Sequence, residues 1–477
     1  MRYMPNSFLW SICCCCALAG CAHTPKPSAE KFSFAAPAKY AADNNAFKAG
    51  GEIRSLAQWL HSLGDEALLQ WVERGLNKNY DLAMARANVQ KAQATVSAAQ
   101  QALLPSASVQ VGRTDTRVRG QATSSSFEQI LSVSWEIDLW GKRIKELKSE
   151  TLKQQASKAL LDQARRSLVA STARLWFSAI SARQRQLLVH DSIKSLTKKK
   201  RIMALHYRQG LESIDALELL DNELRQLQLR QNSLQTQVKA QARALQMVAG
   251  EYPDGALSLP ENLPRHYPSI QQHPPSALLQ HRPDVLAAWL TLKASEAAVA
   301  AAVRQRWLPS IGLSARGVES GNSWRDVLVS PSLWTLGLAI IKNIFSSQES
   351  LQLGLSRAEV VHATATYAIT ALRAWEEVEK YLLEMQLSRD SLDKSSDSVA
   401  SAKRLYRFAQ RRFSNGLTNA RTLLDQHRLL LNQQIQQIEL HEQSLRNQVD
   451  LLLALGVPTQ VAVEQGKPPP VDAHASL

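Results

Sequence analysis

The chain has 477 residues, of which 6% are aromatic and 21% charged, and no Cys follows residue 21. Length allows a large core, and the richness in Ala, Leu, Gln, Lys and Arg is that of long packed helices, which excludes a disulfide scaffold and a wholly disordered chain. The net charge of +14 suits nucleic acid on its face, but the leader puts the chain where it does not meet nucleic acid, so a solvated or partner-docking surface is the better reading.

Residues 1–20 read as a signal peptide. Arg2 supplies the positive start, and the apolar run from Phe8 to Ala19 is too short to span a bilayer as a helix. The run ends Leu18-Ala19-Gly20-Cys21, which resembles the lipobox of bacterial lipoproteins. That resemblance implies cleavage before Cys21 and its acylation, palmitate included. Ala22 stands where Asp would imply retention in the inner membrane, so the outer membrane is expected. Cys13, Cys14, Cys15 and Cys16 lie in the leader, so the mature body offers no disulfide and no thiolate chemistry. The resemblance implies diacylglycerol and an N-acyl chain on Cys21, and three acyl chains anchor far more firmly than one.

Residues 21–65 are expected as a lipidated N-terminal tether. A first structural repeat follows over 66–250, a Pro-rich linker over 251–275, a second repeat over 276–456 and a disordered tail over 457–477 with Pro468-Pro469-Pro470. The first repeat opens on a long helix over 66–103, capped by Asp65 and ended by Pro105. Residues 142–206 predict a helix of roughly 97 Å at about 1.5 Å per residue. Its ladder of Leu147, Gln154, Leu161, Leu168, Leu175, Ala182, Val189, Leu196 and Met203 has a period of seven, the mark of left-handed coiled-coil packing. Residues 212–249 are its antiparallel partner, ended by Gly250. In the second repeat, 276–307, 347–412 and 418–455 are helical. The last of these carries or adjoins Leu417, Leu424, Leu431, Ile438, Leu445 and Leu452, again at a period of seven, before Gly456 and Pro458.

Four segments have a period of two. Over 127–139, Phe127, Leu131, Val133, Trp135, Ile137 and Leu139 alternate with Glu128, Ser132, Ser134, Glu136 and Asp138; Gln129 and Ile130 break the pattern. Residues 106–113, 310–316 and 333–341 alternate likewise. Apolar-out, polar-in strands bounded by polar loops fit a membrane β-barrel. A barrel in lipid must close, because each unpaired backbone group costs several kcal/mol there. The smallest such barrels have eight strands, so four strands need partners: two copies give eight, three give twelve.

The two halves carry the same signals in the same order. Asp81-Leu82 and Leu104-Pro105 are echoed by Asp284-Val285 and Leu308-Pro309, and Gly210-Leu211 by Gly416-Leu417, at offsets of 203 to 206. The chain is therefore one helix-strand-strand-helix unit written twice.

Four motifs in order then carry a resemblance: Asn79-Tyr80-Asp81-Leu82; Trp135-Glu136-Ile137-Asp138-Leu139-Trp140-Gly141-Lys142; Arg282-Pro283-Asp284-Val285; and Leu455-Gly456-Val457-Pro458. The sequence resembles the TolC-like outer-membrane efflux protein family, in its lipoprotein (NodT/OprM-like) branch. The resemblance implies an α+β membrane protein and a homotrimer, with a 12-stranded β-barrel continued by a long coiled-coil α-barrel across the periplasm. It implies an exit duct of a tripartite efflux pump, with a periplasmic adaptor (membrane fusion) protein and an inner-membrane pump as partners and outer-membrane lipid around it. It places the turns Gly210, Leu211, Gly416 and Leu417 at the periplasmic tip and the aperture at Asp215 and Asp425. The other reading of the two Asp is that they cap or solvate helix starts. Thr418 stands where some relatives have an Arg that helps lock the tip, and Ser346-Ser347-Gln348 replaces their Asp-Gly-Gly.

Lys198, Lys199, Lys200 and Arg201 precede the first turn, and Arg404, Arg407, Arg411 and Arg412 the second. They read as a docking surface for adaptor hairpins or as solvated coiled-coil flanks. The sequence has no His-Glu-x-x-His, no Gly-x-Ser-x-Gly and no phosphate-binding Gly-rich loop, so neither catalysis nor a cofactor or metal is expected. Two other functions stay open: an exit duct for protein secretion, and a coiled-coil structural lipoprotein without a pore.

Overall fold

A computed structural model describes residues 41, 55–120, 123–210, 212–264 and 281–458. The expected signal peptide, Cys21, Leu211, residues 265–275 of the linker and the tail from 459 lie outside the described residues. The elements run α1 (Leu56–Ser62), α2 (Glu66–Lys78), α3 (Tyr80–Gln101), β1 (Ser106–Thr116), β2 (Ser124–Ile137), α4 (Lys142–Arg208), α5 (Ile214–Val248), α6 (Pro283–Trp307), β3 (Ser310–Gly321), α7 (Trp324–Val327), β4 (Leu333–Ile341), α8 (Ser347–Ser414) and α9 (Ala420–Ala454). The order is the duplicated helix-strand-strand-helix unit. The chain divides into two compact units, one holding residues 89–157 and 287–369, the other 36–88, 158–286 and 370–477.

The expected long helix over 66–103 is two helices. Asp65 caps the first, accepting from the Leu68 amide at 3.1 Å, but Asn79 then adopts an extended backbone with ψ of 130°. Its Oδ1 accepts from the Leu82 amide at 2.9 Å, which makes it the N-cap of α3. A short polar side chain that can satisfy a free amide competes with helix continuation, and an apolar period does not register it. The expected tether also ends in structure. Ser55 caps α1, and Leu56, Trp59 and Leu60 are fully buried; the Leu56 amide donates to the Pro458 carbonyl at 2.8 Å.

The seven-residue ladders become the core of the unit that holds the helix ends. On α4, Leu168, Ala182, Val189, Leu196 and Met203 are buried, while Leu161 and Leu175 are half-buried. Val189, Leu196 and Met203 cluster with Leu220, Leu224, Leu227 and Leu234 of α5 and with Ala420, Leu424, Leu431 and Ile435 of α9. Burying each such Leu contributes about 1.5–3 kcal/mol, so the seam is held by many similar contacts rather than by one anchor. Leu417, the first rung expected on α9, lies before the helix and is exposed.

In the other unit the strands form one antiparallel meander in the order β1-β2-β3-β4. The two repeats meet at the central pair, β2 with β3. The helix α6, apolar and long enough by composition to cross a membrane, is packed instead: Ala294, Ala297, Ala301 and Ala302 are buried, and the Ala294 carbonyl accepts from Ser149 Oγ of α4 at 2.9 Å.

Candidate functional site

Register decides what the sheet can do, because residues directly opposite in an antiparallel pair share a face. Ile137 lies opposite Ile311, and Ile311 opposite Ile340. The next rows on that face are Trp135, Leu313 and Leu338, then Ala107, Val133, Ala315 and Leu336, then Val109, Leu131, Gly317 and Trp334. These four rows cover about 20 Å along β2 at a rise of about 3.4 Å per residue. The fifth row is Val111, Gln129 and Glu319, so the Gln that interrupts the sequence pattern marks the edge of the apolar band. Ile130, the second interruption, lies on the opposite face beside Val318 and Leu333. That opposite face is otherwise mostly short and polar, with Ser106, Ser108, Gln110, Gly112, Ser132, Ser134, Gly312, Ser314, Arg316, Thr335 and Gly337, together with Glu128 and Glu136 on β2 and Ala339 and Ile341 at the helix end of β4.

Aromatic side chains stand at both ends of the band. Near the helices, the Trp135 indole donates to the Leu103 carbonyl at 2.9 Å and the Trp140 indole to the Pro309 carbonyl at 2.7 Å. At the far end Phe127 meets Trp324 with ring centres 4.6 Å apart. Strand β2 ends at Ile137 rather than at the expected 139. Leu139 falls in the turn into α4, whose Ile144 amide is capped by Asp138 at 2.9 Å. On β4 the apolar side chains are open: Leu336 is 82% exposed and Trp334, Leu338 and Ile340 each more than half. Among the described residues β1 and β4 each have one strand neighbour, leaving two backbone edges.

At the helix ends of the second unit, the two repeats build matching turns. Gly210 and Gly416 take φ of +73° and +69°, the left-handed region where a Cβ is strained. Three residues on, Ser213 accepts from the Ala216 amide at 3.3 Å and Asn419 from the Thr422 amide at 3.0 Å. The two acidic candidates are not equivalent within this frame. Asp215 lies in the first turn of α5, and the repeat puts Arg421 in its place on α9. Asp425 lies in the second turn of α9, where the repeat puts Leu219 on α5. Both are exposed. Asp215 lines a groove with Glu212, Glu218, Asn419 and Arg421, whereas Asp425 lies 3.8 Å from Arg428, which also pairs with the buried Glu223.

The basic cluster divides in two. Lys198, Arg201, Arg404 and Arg407 are exposed. Lys199 instead donates to the Tyr406 hydroxyl and sits 4.7 Å from that ring's centre, and Lys200 pairs with Asp221.

Two positions that sequence patterning did not single out as working side chains form a duplicated clamp. Asn79 Nδ2 donates to the Val248 carbonyl at the end of α5 at 2.8 Å, and Arg282 Nη1 to the Ala454 carbonyl at the end of α9 at 3.2 Å. Arg282 is buried and also pairs with Asp284 at 2.7 Å and Glu377 at 2.6 Å. Gly456 closes the second clamp, since a Cβ there would lie 2.9 Å from the His281 carbonyl. Both clamp residues open motifs quoted above, which was the available signal. In the strand-to-helix motif, Glu136 accepts from Lys142 at 2.8 Å and Arg143 at 2.6 Å.

Residues 71–251 and 275–457 match the family model described as outer membrane efflux protein. The pyoverdine export outer membrane protein OpmQ of Pseudomonas putida is 26% identical over 418 residues, 84% of this chain and 87% of that relative. The toluene efflux pump outer membrane protein TtgF of Pseudomonas putida is 26% identical over 409 residues, 83% of this chain and 85% of its own. Among solved structures, the outer-membrane channel OprN superposes with a TM-score of 0.78 at 22% identity, over 90% of this chain and 98% of that one. The outer membrane protein VceC of Vibrio cholerae gives 0.75 at 22% identity, over 85% and 100%.

Proposed function

The chain belongs to the outer membrane efflux protein family, and from that premise we propose that three copies of it close into one duct, the exit stage of a tripartite pump for small molecules. That it is an outer-membrane efflux component, and not an enzyme, follows from the family and the relatives. The oligomer, the barrel, the lipid on Cys21, the adaptor and the inner-membrane pump belong to the proposal.

One observation carries it: a four-stranded sheet whose register gathers most of the apolar side chains on one face, with an open edge on either side among the described residues. In lipid each unpaired backbone group costs several kcal/mol, so β1 of one copy must find β4 of another. Closure of three copies gives twelve strands, with the Ser, Thr and Gly face lining a wet lumen and the Leu, Ile and Trp face meeting acyl chains. Small-molecule export is supported by the relatives named for pyoverdine and toluene. Cys21 at the end of the leader is read as the acyl anchor, Asp215 and Asp425 as the narrowing of the tip, and Lys198, Arg201, Arg404 and Arg407 as the adaptor's docking surface. Native mass spectrometry in detergent tests the core of this reading, with three copies expected. A stable monomer would refute the duct, and a closed dimer would refute the twelve-stranded barrel.

A further inference from the structure

The polar face of the sheet carries one charge at its centre. Arg316 of β3 lies opposite Ser132 of β2 and Thr335 of β4, and Ser132 lies opposite Ser108 of β1. Its row is thus made of short hydroxyl side chains, and Arg316 is exposed among them. The carboxylates on the same face of β2 are Glu128 and Glu136, each four residues from Ser132, or about 14 Å along the strand. Glu136 is already held by Lys142 and Arg143. A guanidinium stays charged at every working pH, so the middle of this face carries a fixed positive charge with no carboxylate from either adjoining strand beside it.

We infer that Arg316 is a specificity-determining residue of the conduit, drawing anionic solutes to the middle of the strand lumen; the inference rests on the duct reading above. Twelve strands about 4.8 Å apart and tilted by about 40° enclose a backbone radius of about 12 Å. A guanidinium reaching inward about half that distance stands about 6 Å from the axis, inside the Debye length of about 8 Å at 0.15 M salt and outside that of about 3 Å at 1 M. With the dielectric constant of water, three such charges enrich a monovalent anion on the axis about fivefold at 0.15 M and less than about twofold at 1 M. A solute bearing two carboxylates or phosphates squares that factor, whereas a neutral solute is indifferent to it. Arg316 thus separates two chemical classes of cargo without contacting either tightly, as a duct that must also release its cargo requires.

The test uses the purified full-length oligomer in planar bilayers, with zero-current potentials across a KCl gradient. Arg316→Ala is expected to lower the chloride-to-potassium permeability ratio about twenty-five-fold near 0.15 M salt, because the same potential that enriches chloride about fivefold depletes potassium about fivefold; Arg316→Glu is expected to lower it further, and both effects to fade at 1 M. In parallel, Arg316→Cys and Leu336→Cys are treated with a bulky charged methanethiosulfonate, which is expected to reduce current through the first and not the second. Unchanged selectivity in Arg316→Ala and Arg316→Glu, with current through Arg316→Cys still reduced, overturns the inference and leaves the duct standing. Reduction of current only through Leu336→Cys means that the faces are reversed, which overturns the duct reading itself.

Discussion

Acid should loosen the helical tip through a single side chain. His427 of α9 is 6% exposed; Tyr406 of α8 meets it edge-on with ring centres 5.4 Å apart, and its Nδ1 has no hydrogen-bond partner among the described residues. Burial, and then the charge of Lys199, push its pKa down to about 4 from an ordinary value of 6.5. The folded form therefore binds the proton less readily than an opened form whose imidazole is in water. The stabilisation is fully present above pH 6.5 and is lost as pH falls from 6.5 towards 4, below which the folded form takes up the proton too. At 1.36 kcal/mol per pH unit the whole window amounts to about 3 kcal/mol, and about 2 kcal/mol is lost by pH 5, a factor of about thirty in the opening equilibrium. Hydrogen exchange by mass spectrometry, normalised to intrinsic rates at pH 7.5 and pH 5, reads this directly in peptides covering 196–206 and 420–431. Protection there should drop about thirtyfold at pH 5 in the wild type and stay level in His427→Leu, which keeps the bulk and removes the titration. An equal acid loss in His427→Leu, or none in the wild type, would refute the assignment.

Two further outcomes are expected. Arg282→Ala should lower the stability of the detergent-solubilised protein by about 3 kcal/mol, because Asp284 and Glu377 lose a buried partner and the end of α9 loses its clamp. Arg282→Lys should recover less than half of that, since a single ammonium cannot fork between two carboxylates; an unfolding free energy from denaturant titration within about 1 kcal/mol of wild type for Arg282→Ala would show the clamp to be ornamental. Replacing Asp215 and Asp425 together by Ala should lower cation selectivity and weaken block by divalent ions in planar bilayers, with assembly intact because the ladder residues are untouched. Unchanged block in an assembled double variant would leave the two Asp as helix-start residues and move the constriction elsewhere.

Sequence by itself determined most of the elements of this protein and their order. A period of seven on α4 and α9 and a period of two on the strands are local properties, imposed because each element must bury one face. The duplication, the Gly turns and the cap at Asp65 are equally local, since each depends on a few consecutive dihedrals. What tertiary structure decided depends on residues far apart in the chain. The break at Asn79 is capped locally but also tied to the end of α5, more than 160 residues away, and the helix 56–62 in the expected tether is held by Pro458 and a core that its three apolar side chains complete. Alternation assigned faces to each strand, but the register across β2 and β3 showed Gln129 to be a border, Ile130 to belong to a small apolar row, and Arg316 to stand among hydroxyls. A run of basic residues gave a charged tip, and only packing separated Lys199 and Lys200, each engaged with a partner side chain, from the exposed Lys198 and Arg201. A titratable group's surroundings come from every element packed against it, which is why His427 was one of eleven scattered His in the sequence and a buried imidazole between Tyr406 and Lys199 in the fold.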